Sequence, residues 1–127
     1  MNYTLLNGNT LAYMGDVVWS LYIREYLINI GETKAYILQK KTIKYVSAKG
    51  QSKVMYELIN KELLNDDEYN IYKRGRNAKV NNVPRNSDLK TYQQATGFES
   101  LIGYLYLNNN HDKIKEIFEL AKQVIEV

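Results

Sequence analysis

The stretch Thr10-Leu-Ala-Tyr-Met-Gly-Asp-Val-Val-Trp-Ser-Leu-Tyr-Ile-Arg-Glu25 is mostly apolar, and a glycine and an aspartate stand side by side within it. Its apolar residues recur at steps of three and four, which predicts a helix from Thr10 to about Leu27. The residues predicted for the buried face of this helix and its flanks are Leu11, Met14, Val18, Leu21, Tyr22 and Glu25. We expect the rest of the fold to pack around this helix.

Gly15 and Asp16 do not suit a plain core helix. An ionised Asp16 among Met14, Val17 and Trp19 is expected to lose water, at a cost of about 2 kcal/mol or more unless it is paired or binds a metal. Gly15 costs roughly 1 kcal/mol relative to alanine in a helix interior. We therefore interpret the pair as a site, with another group packed closely against the backbone of Gly15. The alternative is a structural aspartate that pairs with a lysine or caps a neighbouring helix.

The composition limits the class of protein. The chain has 127 residues and no cysteine, which predicts one domain (residues 1–127) without disulfides or thiolate metal sites. No apolar run approaches the roughly 18 residues that a membrane span needs, so a cytoplasmic protein with no membrane association is predicted. The net charge of +3 is too small to indicate nucleic-acid binding by itself.

The remaining sequence shows helical patterns and no convincing strand or repeat. A second helix is predicted over about 33–39, and a third ends near residue 62. Asn65 is a predicted N-cap, because acids follow it. Further helices are predicted from Asp88 or Thr91 to about Leu107 and over 112–127, with a loop around Pro84. This pattern predicts an all-α fold of about five to seven helices.

Two motifs resemble the catalytic domain of the ribonuclease III family. Leu11-Ala-Tyr-Met-Gly-Asp16 resembles the family's signature helix, in which an aspartate after Leu-Gly binds metal. Thr96-Gly-Phe-Glu-Ser-Leu-Ile-Gly-Tyr-Leu-Tyr-Leu107 resembles its second signature, a glutamate followed by Leu-Ile-Gly and an aromatic-rich helix. The segments 46–51 and 73–79, with the short length, resemble the Mini-ribonuclease III branch, which lacks a separate double-stranded-RNA-binding domain.

The resemblance implies a ribonuclease III catalytic-domain-like helical bundle in which Asp16 and Glu99 are the catalytic residues and bind Mg²⁺. Carboxylates suit such a cation, because phosphodiester hydrolysis needs an activated water and neutralised phosphate charge. It also implies an endoribonuclease that cuts structured, double-stranded RNA and leaves 5′-phosphate and 3′-hydroxyl ends. A homodimer and a ribosomal RNA precursor, matured at the ends of its large-subunit (23S) RNA, follow from the same resemblance.

This chain departs from the larger ribonuclease III pattern at three positions. That pattern has carboxylates where this sequence has Asn9, Ala12 and Thr96. Alanine cannot bind a metal, and asparagine and threonine offer only neutral oxygens or bridging waters. Fewer fixed charges therefore remain for a second cation, and the sequence leaves open whether the site holds one metal or two.

Two segments are rich in cations and contain no acid. Residues 33–56 contain six lysines, and residues 73–85 contain five cations. Such a run is often only a solvated surface, but two of them bracket the candidate site and suit contacts to RNA phosphates and 2′-hydroxyls. The residues predicted to bind RNA are Lys44, Lys49, Lys73, Arg74, Arg76, Asn77, Lys79 and Arg85.

Two non-catalytic functions compete with the nuclease. One is a double-stranded-RNA-binding or ribosome-associated structural module of the same fold, and the other is a helical domain that binds an acidic protein. Retention of both Asp16 and Glu99 disfavours the first. Trp19 and the neighbouring Tyr13 and Tyr22 are expected to pack in the core or at a subunit interface. For a homodimer, the sequence predicts that the first helix forms the seam through Trp19 and these tyrosines.

Overall fold

The computed structural model describes residues 1–80, 82–83 and 88–126. A short 3-10 helix at Tyr3–Leu5 precedes all the α-helices in this part of the chain. The α-helices are α1 (Gly8–Asn29), α2 (Ala35–Val46), α3 (Ala48–Asn60), α4 (Asp66–Arg76), α5 (Leu89–Leu107) and α6 (His111–Ile125). The described residues contain no strand, so the predicted all-α class is confirmed.

Helix α5 lies at the centre and packs against α1, α4 and α3. Trp19 of α1 and Phe98 of α5 form the middle of the core, with ring centroids 4.9 Å apart in an edge-to-face arrangement. Both side chains are fully buried, and the indole Nε1 of Trp19 donates a hydrogen bond to the carbonyl oxygen of Tyr45 at 3.0 Å. The core therefore joins α1, α2 and α5 through a single tryptophan.

The buried face of α1 differs from the predicted one. The pattern predicts a buried Leu21, but its side chain is 57% exposed. The sequence allowed Trp19 to lie in the core or at a dimer seam, and the structure encloses it in the core, where it cannot form the seam. The residues of α1 that are buried are Gly8, Leu11, Ala12, Gly15, Val18, Trp19, Ile23 and Leu27.

Glycines allow α1 and α5 to cross at very short range. A Cβ atom on Gly15 would lie 1.7 Å from the carbonyl oxygen of Glu99, and one on Gly103 would lie 2.0 Å from the carbonyl oxygen of Leu11. No side chain can be added at either position without moving a helix. The close backbone packing predicted at Gly15 is confirmed, and it brings Asp16 beside Glu99.

Polar caps define the ends of most helices. Asn65 forms a capping box with Glu68, so the predicted N-cap of α4 is confirmed. The side chain of Asn7 caps the start of α1, because its Oδ1 accepts from the backbone N–H of Thr10 at 2.8 Å. Ser47 is the only residue between α2 and α3, and its Oγ accepts from the backbone N–H of Gly50 at 3.1 Å.

None of the helices in the described part of the chain is long and apolar enough to cross a membrane. Helix α2 runs to Val46, well past the predicted end near residue 39. The lysines of this span are compatible with a helix, and the chain turns only where Ser47 provides a cap. The loop predicted around Pro84 lies largely outside the described residues.

Candidate active site

The crossing of α1 and α5 brings two carboxyl groups together. Asp16 extends from α1 and Glu99 from α5, and the two groups are close enough to hydrogen-bond with each other when one carries a proton. Asp16 is exposed to solvent, whereas Glu99 is partly buried. The expectation that Asp16 loses its water is therefore wrong, because the helix turns it outward and Glu99 bears the cost of desolvation instead.

The environment of Glu99 favours its protonated form. Burial first, and then the negative charge of Asp16 and the hydrogen bond with it, raise the pKa of Glu99 to about 8. Nε2 of Gln51 donates to Oε2 of Glu99 at 3.4 Å and lowers the same pKa in part. A divalent cation bound here would offset the negative charge of Asp16 beside Glu99 and so favour the ionised form of Glu99.

The donor atoms at this crossing suit a hard cation. Mg²⁺ prefers oxygen ligands, often takes only one or two protein carboxylates and completes its shell with water and substrate phosphate. Within the described residues, no group of three or more His, Cys, Asp or Glu side chains surrounds a common point. The pair of Asp16 and Glu99 could hold such a cation only with water or phosphate as the remaining ligands.

The three positions that lack the expected carboxylates supply no further charge. Nδ2 of Asn9 donates to the carbonyl oxygen of Lys79 at 3.4 Å, and Oγ1 of Thr96 donates to the carbonyl oxygen of Tyr92 at 3.1 Å. Ala12 is buried in the crossing. The polar groups at these positions therefore stabilise the local fold, and neither carries a charge that could balance a second cation.

Two open grooves adjoin the start of α1. One has a volume of about 410 Å³ and is lined by Asn9, Lys79, Asn82 and Thr96, among others. The other, of about 530 Å³, shares Asn9 and Lys79 with the first and also includes Tyr13. A lysine and several amide groups thus border a concave surface that includes Thr96, which lies three residues before Glu99 on α5.

The predicted RNA-binding residues in and just after α4 differ in their exposure and contacts. Lys79 and Asn77 are exposed. The guanidinium of Arg76 lies 5.5 Å from the ring centroid of Tyr72, and the ammonium of Lys73 lies 4.9 Å from that of Tyr69.

Arg74 is engaged with the backbone of the N-terminal segment. Its Nη1 donates to the carbonyl oxygen of Leu6 at 2.8 Å and to that of Thr4. Arginine in this arrangement fastens the segment before α1 to α4. Its charge predicts contact with RNA, but the hydrogen bonds of its guanidinium are directed at protein.

The lysines of the first basic segment lie apart from those of α4. Lys44 and Lys49 are exposed. Lys44 lines a cavity beside Tyr26 and Ile30, at the C-terminal end of α1, whereas Lys79 lies beside Asn9 at its start. These ends are about 27 Å apart along the helix axis. The predicted cations therefore do not form one continuous patch in the described residues, and Arg85 lies outside those residues.

Gln51 is the residue of this site that the sequence did not single out for a role. It is buried on the inner side of α3, and the sequence pattern gave no function to its amide. A buried amide requires a polar partner, and Glu99 is that partner. This requirement is the signal that could have drawn attention to it.

Known proteins resemble this chain over most of its length. The ribonuclease III domain family matches residues 9–110. The Mini-ribonuclease 3 of Enterococcus faecalis is 45% identical over 116 residues, which cover 91% of this chain and 88% of that protein. The Mini-ribonuclease 3 of Streptococcus pneumoniae is 38% identical over 126 residues, which cover 99% of this chain and 98% of that one. A crystal structure of a Fusobacterium nucleatum protein superposes with a TM-score of 0.84 at 32% identity and covers 92% of this chain and 93% of that one.

Proposed function

This chain belongs to the ribonuclease III family and resembles its Mini-ribonuclease 3 members, and on that premise we propose that it cuts double-stranded RNA at a Mg²⁺ site held by Asp16 and Glu99. Family membership makes it an endoribonuclease, which removes the two non-catalytic alternatives. The observation that supports the site is the meeting of the two carboxyl groups at the crossing of α1 and α5.

The proposed reaction is hydrolysis of one phosphodiester bond in each strand. The cation, when bound, supplies charge neutralisation and lowers the pKa of a coordinated water. Asp16 and Glu99 would hold the cation, and Glu99 would bind it as the ionised carboxylate after its proton has passed to solvent. The oxygen of water bonds to phosphorus and the bond from phosphorus to O3′ breaks. One product carries a 5′-phosphate, and the other a 3′-hydroxyl that has gained a proton.

We place the RNA-binding surface first at Arg76, Asn77 and Lys79. Lys79 and Asn77 are exposed, and Lys79 borders the groove that includes Thr96, three residues before Glu99 on α5. Such cations suit phosphates, and a double-stranded RNA is recognised mainly through its backbone and 2′-hydroxyls. Lys49 and Lys73 are secondary candidates.

Arg74, Lys44 and Arg85 have weaker support as RNA contacts. The guanidinium of Arg74 is bonded to the backbone of Leu6. Lys44 lies at the far end of α1 from Lys79, and a single short duplex would have to span that length to reach both. The proposal that Arg85 contacts RNA rests on the sequence pattern alone.

We propose a twofold homodimer whose seam includes the outward face of α1. Tyr13, Val17 and Leu21 lie four residues apart on that face, and all three are largely exposed. They replace Trp19 as the residues that would bury apolar surface. A twofold dimer presents two sites to the two antiparallel strands of a duplex. Leu21→Glu should yield a monomer in sedimentation equilibrium, and a dimer that persists in this variant would place the seam elsewhere.

The proposed natural substrate is a structured ribosomal RNA precursor, cut at the ends of the large-subunit (23S) RNA in the cytoplasm. This part of the proposal rests on the resemblance to the Mini-ribonuclease III branch. No individual side chain specifies that RNA.

The decisive experiment uses the purified protein and a synthetic RNA duplex with and without Mg²⁺. We expect endonucleolytic cuts only when Mg²⁺ is present, with 5′-phosphate and 3′-hydroxyl ends. A single-stranded RNA of the same sequence is the control and should remain intact. Cleavage that continues in excess chelator, or products with 2′,3′-cyclic phosphate ends, would contradict the proposal.

A further inference from the structure

Gln51 occupies the place where α3 packs against α5, directly behind Glu99. Its side chain is 2% exposed, and its Nε2 donates to Oε2 of Glu99 at 3.4 Å. Burial of an amide costs free energy unless its polar groups have partners. A methionine would fill a similar volume without that cost, so the amide is explained by the carboxyl group that it contacts.

We propose that Gln51 is a positioning residue for the metal site, because its hydrogen bond fixes the direction of the Glu99 carboxyl group and so places that group for the cation. This inference rests on the proposed function of Asp16 and Glu99. Gln51 itself contacts neither substrate nor cation.

Such support matters more here than in a site with many ligands. The chain has Asn9, Ala12 and Thr96 where further carboxylates would otherwise stand, so two carboxyl groups carry the proposed site. Glutamate has a long side chain, and fixing it on metal binding costs conformational entropy. A donor amide that holds one oxygen in advance reduces that cost. Groups behind the ligands typically change metal affinity by about 10- to 100-fold.

The chain offers a matched control one residue away. Oγ of Ser52 donates to Oε1 of Gln94 at 2.5 Å, and this bond also joins α3 to α5. Ser52 is partly buried, as expected for a side chain at the edge of the same interface. Ser52→Ala therefore removes a side-chain hydrogen bond between the same two helices without touching Glu99.

The experiment measures binding of Mn²⁺ to the full-length, metal-free protein by electron paramagnetic resonance. Mn²⁺ serves as the probe because it takes oxygen ligands as Mg²⁺ does. We expect Gln51→Met to weaken Mn²⁺ binding by about 10- to 100-fold and Ser52→Ala to leave it unchanged. In the Glu99→Gln background, Gln51→Met should cause no further loss, because its effect passes through Glu99.

Cleavage of duplex RNA gives a second readout. For Gln51→Met, the Mg²⁺ concentration that gives half-maximal activity should rise by a similar factor, KM for RNA should not change, and excess Mg²⁺ should restore most of kcat. A merely structural role would lower the melting temperature and the active fraction but would not shift the Mg²⁺ dependence. If Gln51→Met does not fold, Gln51→Asn keeps the amide and draws it back by one methylene, so the same loss is expected.

The outcomes separate the inference from its premise. Folded Gln51→Met that binds Mn²⁺ as the parent does, while Glu99→Gln binds it poorly, would overturn the role of Gln51 and leave the metal site intact. Glu99→Gln that binds Mn²⁺ as tightly as the parent would instead overturn the proposed function, and the role of Gln51 with it.

Discussion

The crossing of α1 and α5 and the C-terminal end of α4 form their parts of the site by different means. At the crossing, backbone atoms set the spacing, because Gly15 brings α1 against the carbonyl oxygen of Glu99. At the end of α4, exposed side chains such as Lys79 extend from a helix end. The comparison indicates that the geometry of the proposed metal site is fixed by the packed backbone, whereas the grip on RNA depends on solvent-exposed side chains. Substitutions at the crossing should therefore impair the geometry of the metal site, whereas substitutions at the end of α4 should weaken RNA binding.

The largest effect is expected from Asp16→Asn, which alters charge at the crossing and keeps the shape. Cleavage should fall by orders of magnitude, because a neutral amide binds a hard cation poorly. Duplex RNA binding should persist, since the end of α4 is unchanged. Stability in metal-free buffer should not decrease, because Asp16 is exposed and the amide oxygen of asparagine can still accept a hydrogen bond from protonated Glu99. A clear loss of melting temperature, with activity retained in the folded fraction, would show that Asp16 is structural.

A methyl group at the crossing tests whether the backbone sets the spacing. In Gly103→Ala, the new Cβ would lie 2.0 Å from the carbonyl oxygen of Leu11, so the helices must move apart. We expect a loss of about 1–3 kcal/mol in the free energy of unfolding, reduced by roughly 1 kcal/mol of helix propensity. Cleavage by the folded protein should also fall, because the carboxyl groups separate. Urea unfolding and single-turnover cleavage measure both.

The exposed Lys90→Ala, in the first turn of α5, is the control for Gly103→Ala. It should change the free energy of unfolding by less than about 0.5 kcal/mol. Wild-type stability in Gly103→Ala would mean that the helices can separate at little cost, and the contrast between the two regions would weaken.

Lys79→Ala and Arg74→Ala divide the cations of α4 and its C-terminal end into RNA contacts and structural residues. Lys79→Ala should weaken binding to duplexes of any sequence and reduce the slope of log affinity against log salt by about one unit. Arg74→Ala should leave that slope unchanged and cost about 1 kcal/mol of stability, because the bonds to Thr4 and Leu6 are lost. Equal reductions of the slope in both variants would return Arg74 to the RNA-binding surface.

A pH dependence of stability is expected at the crossing. The pKa of Glu99 in the metal-free folded protein is about 8, against an ordinary value of 4.5, so the folded state holds a proton that the unfolded state releases. The resulting stabilisation is complete below about pH 4.5 and is lost as the pH rises through 8. Relative to Glu99→Gln, the parent should therefore lose stability across this window in urea unfolding. Parallel curves for the two proteins would mean that Glu99 titrates normally.

The sequence was sufficient to predict the fold and the pair of carboxylates. The helices follow from periodicity, the start of α4 from the capping chemistry of Asn65, and the close approach at Gly15 from the cost of glycine in a helix. The adjacency of Asp16 and Glu99 was expected from the resemblance, and their carboxyl groups are neighbours in the structure. Their roles as metal ligands remain a proposal.

The sequence could not determine which way α1 is rotated. Apolar residues occur nearly all around that helix, so periodicity alone could not decide whether Trp19 lies in the core or at a seam. The prediction that Leu21 is buried was wrong, whereas Trp19 lies in the core. The same rotation of α1 turns Asp16 toward solvent, whereas Glu99 on α5 is partly buried. The sequence likewise could not show that the guanidinium of Arg74 donates to backbone carbonyl oxygens more than sixty residues earlier in the chain.

The connection between α2 and α3 is a single residue, Ser47. Its length determines how α3 is rotated about its own axis relative to α2. A Cβ on Gly50 would lie 2.0 Å from the carbonyl oxygen of Lys44, so the two helix ends are already in contact and leave no slack. One residue inserted at this joint corresponds to a turn of about 100° around the axis of α3. Such a turn would carry Gln51 off the face that meets Glu99. The length of the connection between α2 and α3 thus determines the direction in which the side chain of Gln51, one turn further along, points.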